Sequence, residues 1–282
     1  MSIKKKFQVF ALACVSSVAL FAQGVNAKTV NVAVSIVPEA TFAKAVGGDY
    51  LNVTTTIPSG SSPENYEPTA KQMEDLENAD LYFSIGVPAE TASILPKLPK
   101  DLTVVKLPNL VRKTYADRKL GQERDPHIWL SPKRAQLMTL IMAKELSNID
   151  PAHANEFMAN AKAYNEKIQA AEEQIKQALA DKKTTSFITY HPAFGYFAED
   201  FGLKMHALEE EGKEASAKQI AQMIDLAKKE GIKAVFYQAE MDSTQAKSLA
   251  TEIDGNAIQL SPLSGDYINN LIKMGHTFKA HL

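Results

Sequence analysis

Residues 150–181 read DPAHANEFMANAKAYNEKIQAAEEQIKQALAD, and the rest of the chain lies on either side of this segment. Its apolar side chains recur at alternating spacings of four and three, which places them on one face of a helix. They are Phe157, Ala161, Tyr164, Ile168, Ala171, Ile175 and Leu179. Asp150 and Pro151 are typical of a helix start, because an aspartate can cap free N–H groups and proline suits the first helical position. At ~1.5 Å per residue, we predict one continuous helix of roughly 45 Å.

The two flanks of this helix both alternate strands with helices. Apolar and β-branched runs predict strands at 29–37, 50–57, 81–85 and 102–107 in the first flank, and at 186–190, 203–208, 233–237 and 257–260 in the second. Residues 109–124 are charged and have no period, so we predict a surface loop there.

Alternating strands and helices imply parallel sheets that are covered by helices. We therefore predict an α/β protein with two lobes of parallel β/α units, residues 28–149 and 182–282, joined by the long helix at 150–181. The alternative is an ordinary packed helix in a single-domain bundle.

The N-terminus has the pattern of a targeting segment. Lys4, Lys5 and Lys6 supply positive charge, and the apolar stretch at 9–22 is too short to span a bilayer. Small residues then form a cleavage signal, so we predict a signal peptide at 1–27.

Composition limits the kinds of site that the chain can build. The only cysteine, Cys14, lies in the predicted signal peptide, so a metal site must use nitrogen and oxygen ligands. The net charge is −2 from 31 basic and 33 acidic residues, and it becomes −5 without the three lysines of the signal peptide. The chain is mildly acidic and has no basic tract, which speaks against nucleic-acid binding.

Polar residues follow several of the predicted strands. Glu64 lies in the loop after the second strand, His127 follows Asp125 just before a helix, and His191 ends the first strand of the second half. In parallel sheets, ligands bind outside the carboxyl ends of the strands. Of the other histidines, only His206 has a suggestive context, because it precedes an acidic run at 209–211.

Three motifs make the sequence recognisable: PENYEPT at 63–69, DPHIW at 125–129 and YHPAFGYF at 190–197. Together they resemble motifs of the zinc/manganese solute-binding proteins of bacterial ABC importers, over essentially the whole mature chain. The resemblance implies two α/β lobes joined by the long helix, with a divalent metal ion bound in the cleft between them. It also implies a periplasmic protein, expected to be a monomer, that delivers the metal to an ABC transporter permease and has no enzymatic activity.

The resemblance also assigns the metal ligands. His127 and His191 match the second and third ligand positions, and Glu64 lies where the family usually has a histidine. The fourth ligand is usually an aspartate before a Pro-Leu pair, and this chain has Ser261 there. Glu240, near the end of a predicted strand in the same half, could supply the replacement carboxylate.

This predicted ligand set favours zinc but leaves other functions open. Two imidazoles with one or two carboxylates suit Zn²⁺ and also accept Mn²⁺ or Fe²⁺. Asp125 or a backbone carbonyl would fix the tautomer of an imidazole. One alternative is a binding protein for a chelated metal or another small molecule, which Ser261 favours. Another is a metallohydrolase, because two histidines and a carboxylate with an open position can activate water.

Overall fold

The computed structural model describes residues 29–209 and 213–282, so the predicted signal peptide and its cleavage site lie outside the described residues. The strands are β1 (Val30–Val34), β2 (Leu51–Thr55), β3 (Leu81–Ser84), β4 (Thr103–Lys106), β5 (Lys119–Leu120), β6 (Glu123–Arg124), β7 (Ser186–Thr189), β8 (Lys204–Ala207), β9 (Ala234–Gln238) and β10 (Asn256–Leu260). The α-helices are α1 (Val37–Gly47), α2 (Ala70–Leu76), α3 (Leu107–Val111), α4 (Pro132–Ile149), α5 (Ala154–Ala178), α6 (Gly195–Asp200), α7 (Ala217–Glu230), α8 (Thr244–Glu252) and α9 (Tyr267–His281).

The strands form two separate parallel sheets, one on each side of α5 in the sequence. Their orders are β2-β1-β3-β4 and β10-β9-β7-β8. The two orders are identical when each sheet is numbered from its own first strand. Every strand pair in both sheets is parallel, and helices connect most of the strands. The predicted α/β fold with two lobes of parallel β/α units is confirmed.

The long helix is continuous and buries the predicted face. Helix α5 follows one tighter turn at Pro151–His153 and ends at Ala178. Phe157, Ile168 and Ile175 of the stripe are almost fully buried, against neighbours that include α4 and α9. The predicted capping role of Asp150 is wrong, because its carboxylate contacts the ring of His153 and makes no capping hydrogen bond.

The predicted loop at 109–124 was wrong in part. Helix α3 extends into its first residues, and β5 and β6 form an antiparallel hairpin that turns at Gly121, where φ is +58°. Two-residue strands are too short to produce a sequence period, so pattern reasoning could not find them. The hairpin ends with a hydrogen bond from the N–H of Asp125 to the carbonyl of Arg118 (3.0 Å).

The segment after β10 crosses back to the N-terminal lobe. The indole N–H of Trp129 donates to the carbonyl of Pro262 (2.9 Å), and the Tyr267 hydroxyl donates to the carbonyl of Trp129 (2.6 Å). The Tyr267 ring also meets Phe42 edge-on, with 4.6 Å between ring centroids. One hydrophobic cluster therefore runs from the first sheet through α5 and α9 to the second sheet. Within the described ranges, no helix is long and apolar enough to cross a membrane.

Candidate metal centre

Three of the four predicted ligands meet in the cleft between the lobes. Glu64, His127 and His191 each offer a ligand atom, and these atoms lie within 4.8 Å of one another. The Nε2 atoms of the two histidines are 3.2 Å apart, and Oε1 of Glu64 is 3.4 Å from Nε2 of His191. Ligands at ~2.0–2.2 Å from a tetrahedral zinc lie about 3.3–3.6 Å from one another. The observed spacing therefore fits a single ion.

Hydrogen bonds and a tight turn hold the loops that carry these side chains. The carbonyl of Pro63, next to Glu64, accepts the N–H of Ala89 (2.9 Å). The carbonyl of His191 accepts the hydroxyl of Thr189 (2.9 Å) at the end of β7. His127 precedes a tight turn at 128–130 that leads into α4. Each ligand therefore comes from a loop that is anchored to its own lobe.

Buried carboxylates orient both imidazoles. Oδ1 of Asp125 accepts the backbone N–H of His127 (3.0 Å) and lies 2.8 Å from its Nδ1, as expected for a residue that fixes the tautomer. The Nδ1 of His191 lies 3.1 Å from Oε2 of Glu209. With each Nδ1 facing a carboxylate, both rings present Nε2 to the cleft.

Glu209 is a site residue that the sequence analysis missed. In the sequence it is recognisable only as part of an acidic run that follows His206. Its N–H donates to the carbonyl of Tyr190 (2.9 Å), which holds it beside His191. Glu209 follows the second strand of its lobe, as Glu64 does in the other lobe. This equivalent position in the two lobes could have identified Glu209 as a site residue from the sequence. The Nε2 atom of His206 lies 3.7 Å from Oε2 of Glu230 on α7, and His206 is not part of the three-ligand cluster.

The charges in the site form a coupled set. Burial works to lower the pKa of His191, but hydrogen bonds and charge from Glu209 and Glu64 outweigh it and raise that pKa to about 9. Burial works to raise the pKa of Glu64, but His191 and His127 outweigh it and lower that pKa. The ring of His191 therefore lies between two carboxyl groups that both favour its positive form. A divalent cation that displaces its proton enters a site already arranged around positive charge.

Glu240, the fourth predicted ligand, lies outside the three-ligand cluster. It lines the same cleft of about 980 Å³ as Glu64, His127 and His191. Burial raises its pKa, and within the described ranges its Oε2 has no hydrogen-bond partner. Ser261, at the usual acid position, accepts a hydrogen bond from Asn270 through its carbonyl (2.8 Å).

Two parallel α/β lobes backed by one long helix, with histidines and a carboxylate converging between them, define a class of metal-binding solute-binding proteins. The chain belongs to the family of ZnuA, the periplasmic component A of the zinc-uptake complex, whose sequence model matches residues 32–280. This result confirms the family that the three motifs indicated.

Relatives and solved structures agree with this assignment. Zinc-binding protein AdcA of Streptococcus pyogenes is 32% identical over 261 residues, which cover 84% of this chain and 51% of that protein. The chain thus spans about half the length of the AdcA proteins that it matches. High-affinity zinc uptake system protein ZnuA of Bacillus subtilis is 27% identical over 251 residues, covering 83% of this chain and 79% of that protein.

A ZnuA crystal structure superposes with a TM-score of 0.84 at 29% identity, covering 90% of this chain and 99% of that chain. The periplasmic zinc-binding protein TroA of Treponema pallidum, at 20% identity, shares the fold with a TM-score of 0.82, covering 90% of this chain and 99% of that chain.

Proposed function

We propose that the protein captures a divalent transition metal, zinc in the first place, and delivers it to the permease of an ABC importer. The observation that carries this proposal is the convergence of Glu64, His127 and His191 from loops of both lobes. A ligand set shared between two lobes couples metal binding to their relative position. The names of the zinc-binding relatives support zinc as the cargo.

The ligand atoms favour zinc over manganese and iron as the bound metal. Two imidazole nitrogens and a carboxylate suit the tetrahedral preference of Zn²⁺, and the general affinity order places zinc above manganese and iron. We propose Glu64, His127 and His191 as direct ligands. For the fourth position we propose Glu240, which needs a side-chain movement within the cleft, or else the second oxygen of Glu64.

The cellular setting belongs to the same proposal. We place the mature protein in the periplasm as a monomer, exported by the signal peptide at 1–27. We also propose that the mature chain is divided into a lobe at 28–149, a linking helix at 150–181 and a lobe at 182–282. The family is one of receptors and not of enzymes, so no catalytic role is assigned.

A chelated metal is a second candidate cargo, and the size of the cleft favours it. The cleft of about 980 Å³ far exceeds the space that one ion occupies, since even a water molecule takes only ~30 Å³. Calorimetry with zinc alone and with zinc citrate distinguishes the two cargoes. If zinc citrate binds more tightly than zinc alone, the chelated metal and not the bare ion is the preferred cargo.

Metal analysis and titration test the main proposal. Protein purified from the periplasm without added metal is expected to contain close to one zinc per chain by elemental analysis. His127→Ala and His191→Ala should each weaken zinc binding at least tenfold, whereas His276→Ala, at an exposed position on α9, should bind like the wild type. If both cleft variants titrate like the wild type, the metal site is elsewhere.

A further inference from the structure

The buried carboxylate that orients His127 has an unusual neighbour. The side chain of Asp125 is 0% exposed, and its Oδ1 is occupied by His127. Among the described residues, its Oδ2 has no hydrogen-bond partner, and it lies 3.5 Å from Nε of Arg118. A buried carboxylate is destabilising unless a cation or hydrogen bonds compensate its charge. Arg118 places positive charge beside this otherwise unpartnered oxygen.

Arg118 is held in this position by both lobes. It lies just before the β5–β6 hairpin, and its carbonyl accepts the N–H of Asp125 (3.0 Å). Its own N–H donates to the hydroxyl of Tyr196 on α6, and that hydroxyl donates to the carbonyl of Asp125 (2.8 and 3.3 Å). Its Nη1 is 3.7 Å from Oε2 of Glu199, also on α6. The arginine thus connects the hairpin of one lobe to the helix that follows His191 in the other.

The first residue of α6 leaves room for this contact. A Cβ on Gly195 would lie 2.6 Å from Nε of Arg118 and 2.9 Å from Oδ2 of Asp125. Gly195 is not among the described glycines with positive φ, so its backbone conformation does not require glycine. Alanine has the higher helix propensity at such a position. The reason for glycine here is space for the arginine–aspartate contact.

We infer that Arg118 is a positioning residue for the metal ligand His127, and that Gly195 provides the clearance it needs. Arg118 holds the carboxylate of Asp125 aimed at Nδ1 of His127, so that the ring keeps its N–H on the Nδ1 side and turns Nε2 to the metal. The inference rests on the proposed function only in naming His127 as a metal ligand. It predicts an effect on metal affinity that is separate from fold stability.

Two variants disturb the contact by different routes. Arg118→Gln removes the charge, while the backbone N–H that bonds Tyr196 remains. Gly195→Ala keeps the charge but pushes the guanidinium away from Asp125. Loss of the carboxylate partner of a ligating histidine typically costs 10–100-fold in affinity. Because Arg118 acts through Asp125, each variant should bind zinc about tenfold more weakly, at the lower end of that range. Arg118→Lys should recover part of the loss, and Arg112→Gln, which removes an exposed guanidinium from the neighbouring segment, should change nothing.

The deciding readout is the tautomer of His127 in the metal-free protein. Nitrogen-15 NMR of the imidazole should show a single form protonated on Nδ1 in the wild type, and a mixture in Arg118→Gln and Gly195→Ala. Thermal melting, measured beside it, should show that both variants stay folded at the assay temperature.

Three outcomes decide the inference. If the wild type binds zinc and both variants bind it equally well, the inference is overturned. An unchanged tautomer with weakened binding would make Arg118 structural and would also overturn it. If the wild type binds no zinc, the proposed function fails, but a tautomer change in both variants would still support the positioning role.

Discussion

Replacing Glu64 by glutamine tests whether this residue is a metal ligand, because the change keeps the size of the side chain and removes its charge. Structural zinc sites in zinc-finger peptides bind with about 10–16 kcal/mol, which is roughly 3 kcal/mol for each of four ligands. Loss of one ligand therefore corresponds to about a hundredfold weaker binding. Because Glu64 Oε1 lies only 3.4 Å from His191 Nε2, we expect Glu64→Gln to show this hundredfold loss of zinc affinity.

Proton competition at His191 modifies the size of the effect at neutral pH. With a pKa of about 9, its imidazole is protonated at pH 7, and the proton lowers the apparent zinc affinity of the wild type about a hundredfold. Glu64 helps to raise that pKa, so Glu64→Gln lowers it and zinc meets less competition. The measured loss in the variant should therefore be smaller at pH 7 than at pH 9.

Competition with a chromophoric zinc chelator at pH 7 and pH 9 measures both effects. Glu64→His, which supplies a third imidazole, should bind zinc more tightly than the wild type. Glu67→Gln is the matched control, because Glu67 belongs to the same loop and instead contacts Ser93 (2.8 Å). If Glu64→Gln and Glu64→His both bind like the wild type, Glu64 is not a ligand and the metal-transport proposal loses most of its support.

Four further predictions follow from the same geometry. Zinc affinity of the wild type should rise about tenfold per pH unit from pH 7 to about pH 9, because the raised pKa of His191 makes a proton compete with zinc below pH 9. Calorimetry should show release of one proton per zinc ion, and a zinc affinity that does not change with pH would contradict this. Small-angle scattering should give radii of gyration for metal-free and zinc-loaded protein that agree within about 1 Å, since α5 and the segment after β10 both join the lobes, and a contraction of several ångströms would refute this. Glu240→Gln should cost less zinc affinity than Glu64→Gln, because Glu240 lies outside the three-ligand cluster, and an equal loss in the same competition assay would make it a full ligand. Phe157→Ala should lower the free energy of unfolding in urea by about 3–5 kcal/mol, because a fully buried ring is lost, without changing the zinc affinity of the folded protein.

The features best predicted from the sequence are those that depend on local periodicity or on the position of a residue beside a helix or strand end. The stripe through Phe157 and Ile175 predicted α5. His191 was a candidate ligand because it follows β7, and His127 because it lies just before the turn that leads into α4. These signals are carried by neighbouring residues, so no knowledge of tertiary pairing was needed.

The residues that orient the ligands could not be found in this way. Glu209 reaches His191 only because β8 pairs in parallel with β7, in the register that places Ala207 opposite Thr189. Arg118 belongs to a region of very short strands, and its partner Asp125 is brought to it by the hairpin. Contacts of this kind depend on register and turn geometry, which the residue pattern alone does not encode.

The return of the chain to its starting lobe has a consequence for folding kinetics. The hydroxyl of Thr41 donates to the carbonyl of Gly265 (2.8 Å), and these residues are 224 positions apart. Tyr267 fills the core beside Phe42 at a similar separation. Contacts between distant parts of a chain form late, because loop closure costs entropy before they give any stabilisation. We therefore expect the first sheet to gain secondary structure rapidly and to reach its final packing only when α9 docks. The fluorescence of Trp129, the single tryptophan, which contacts Pro262 and Tyr267, should mark this slow phase.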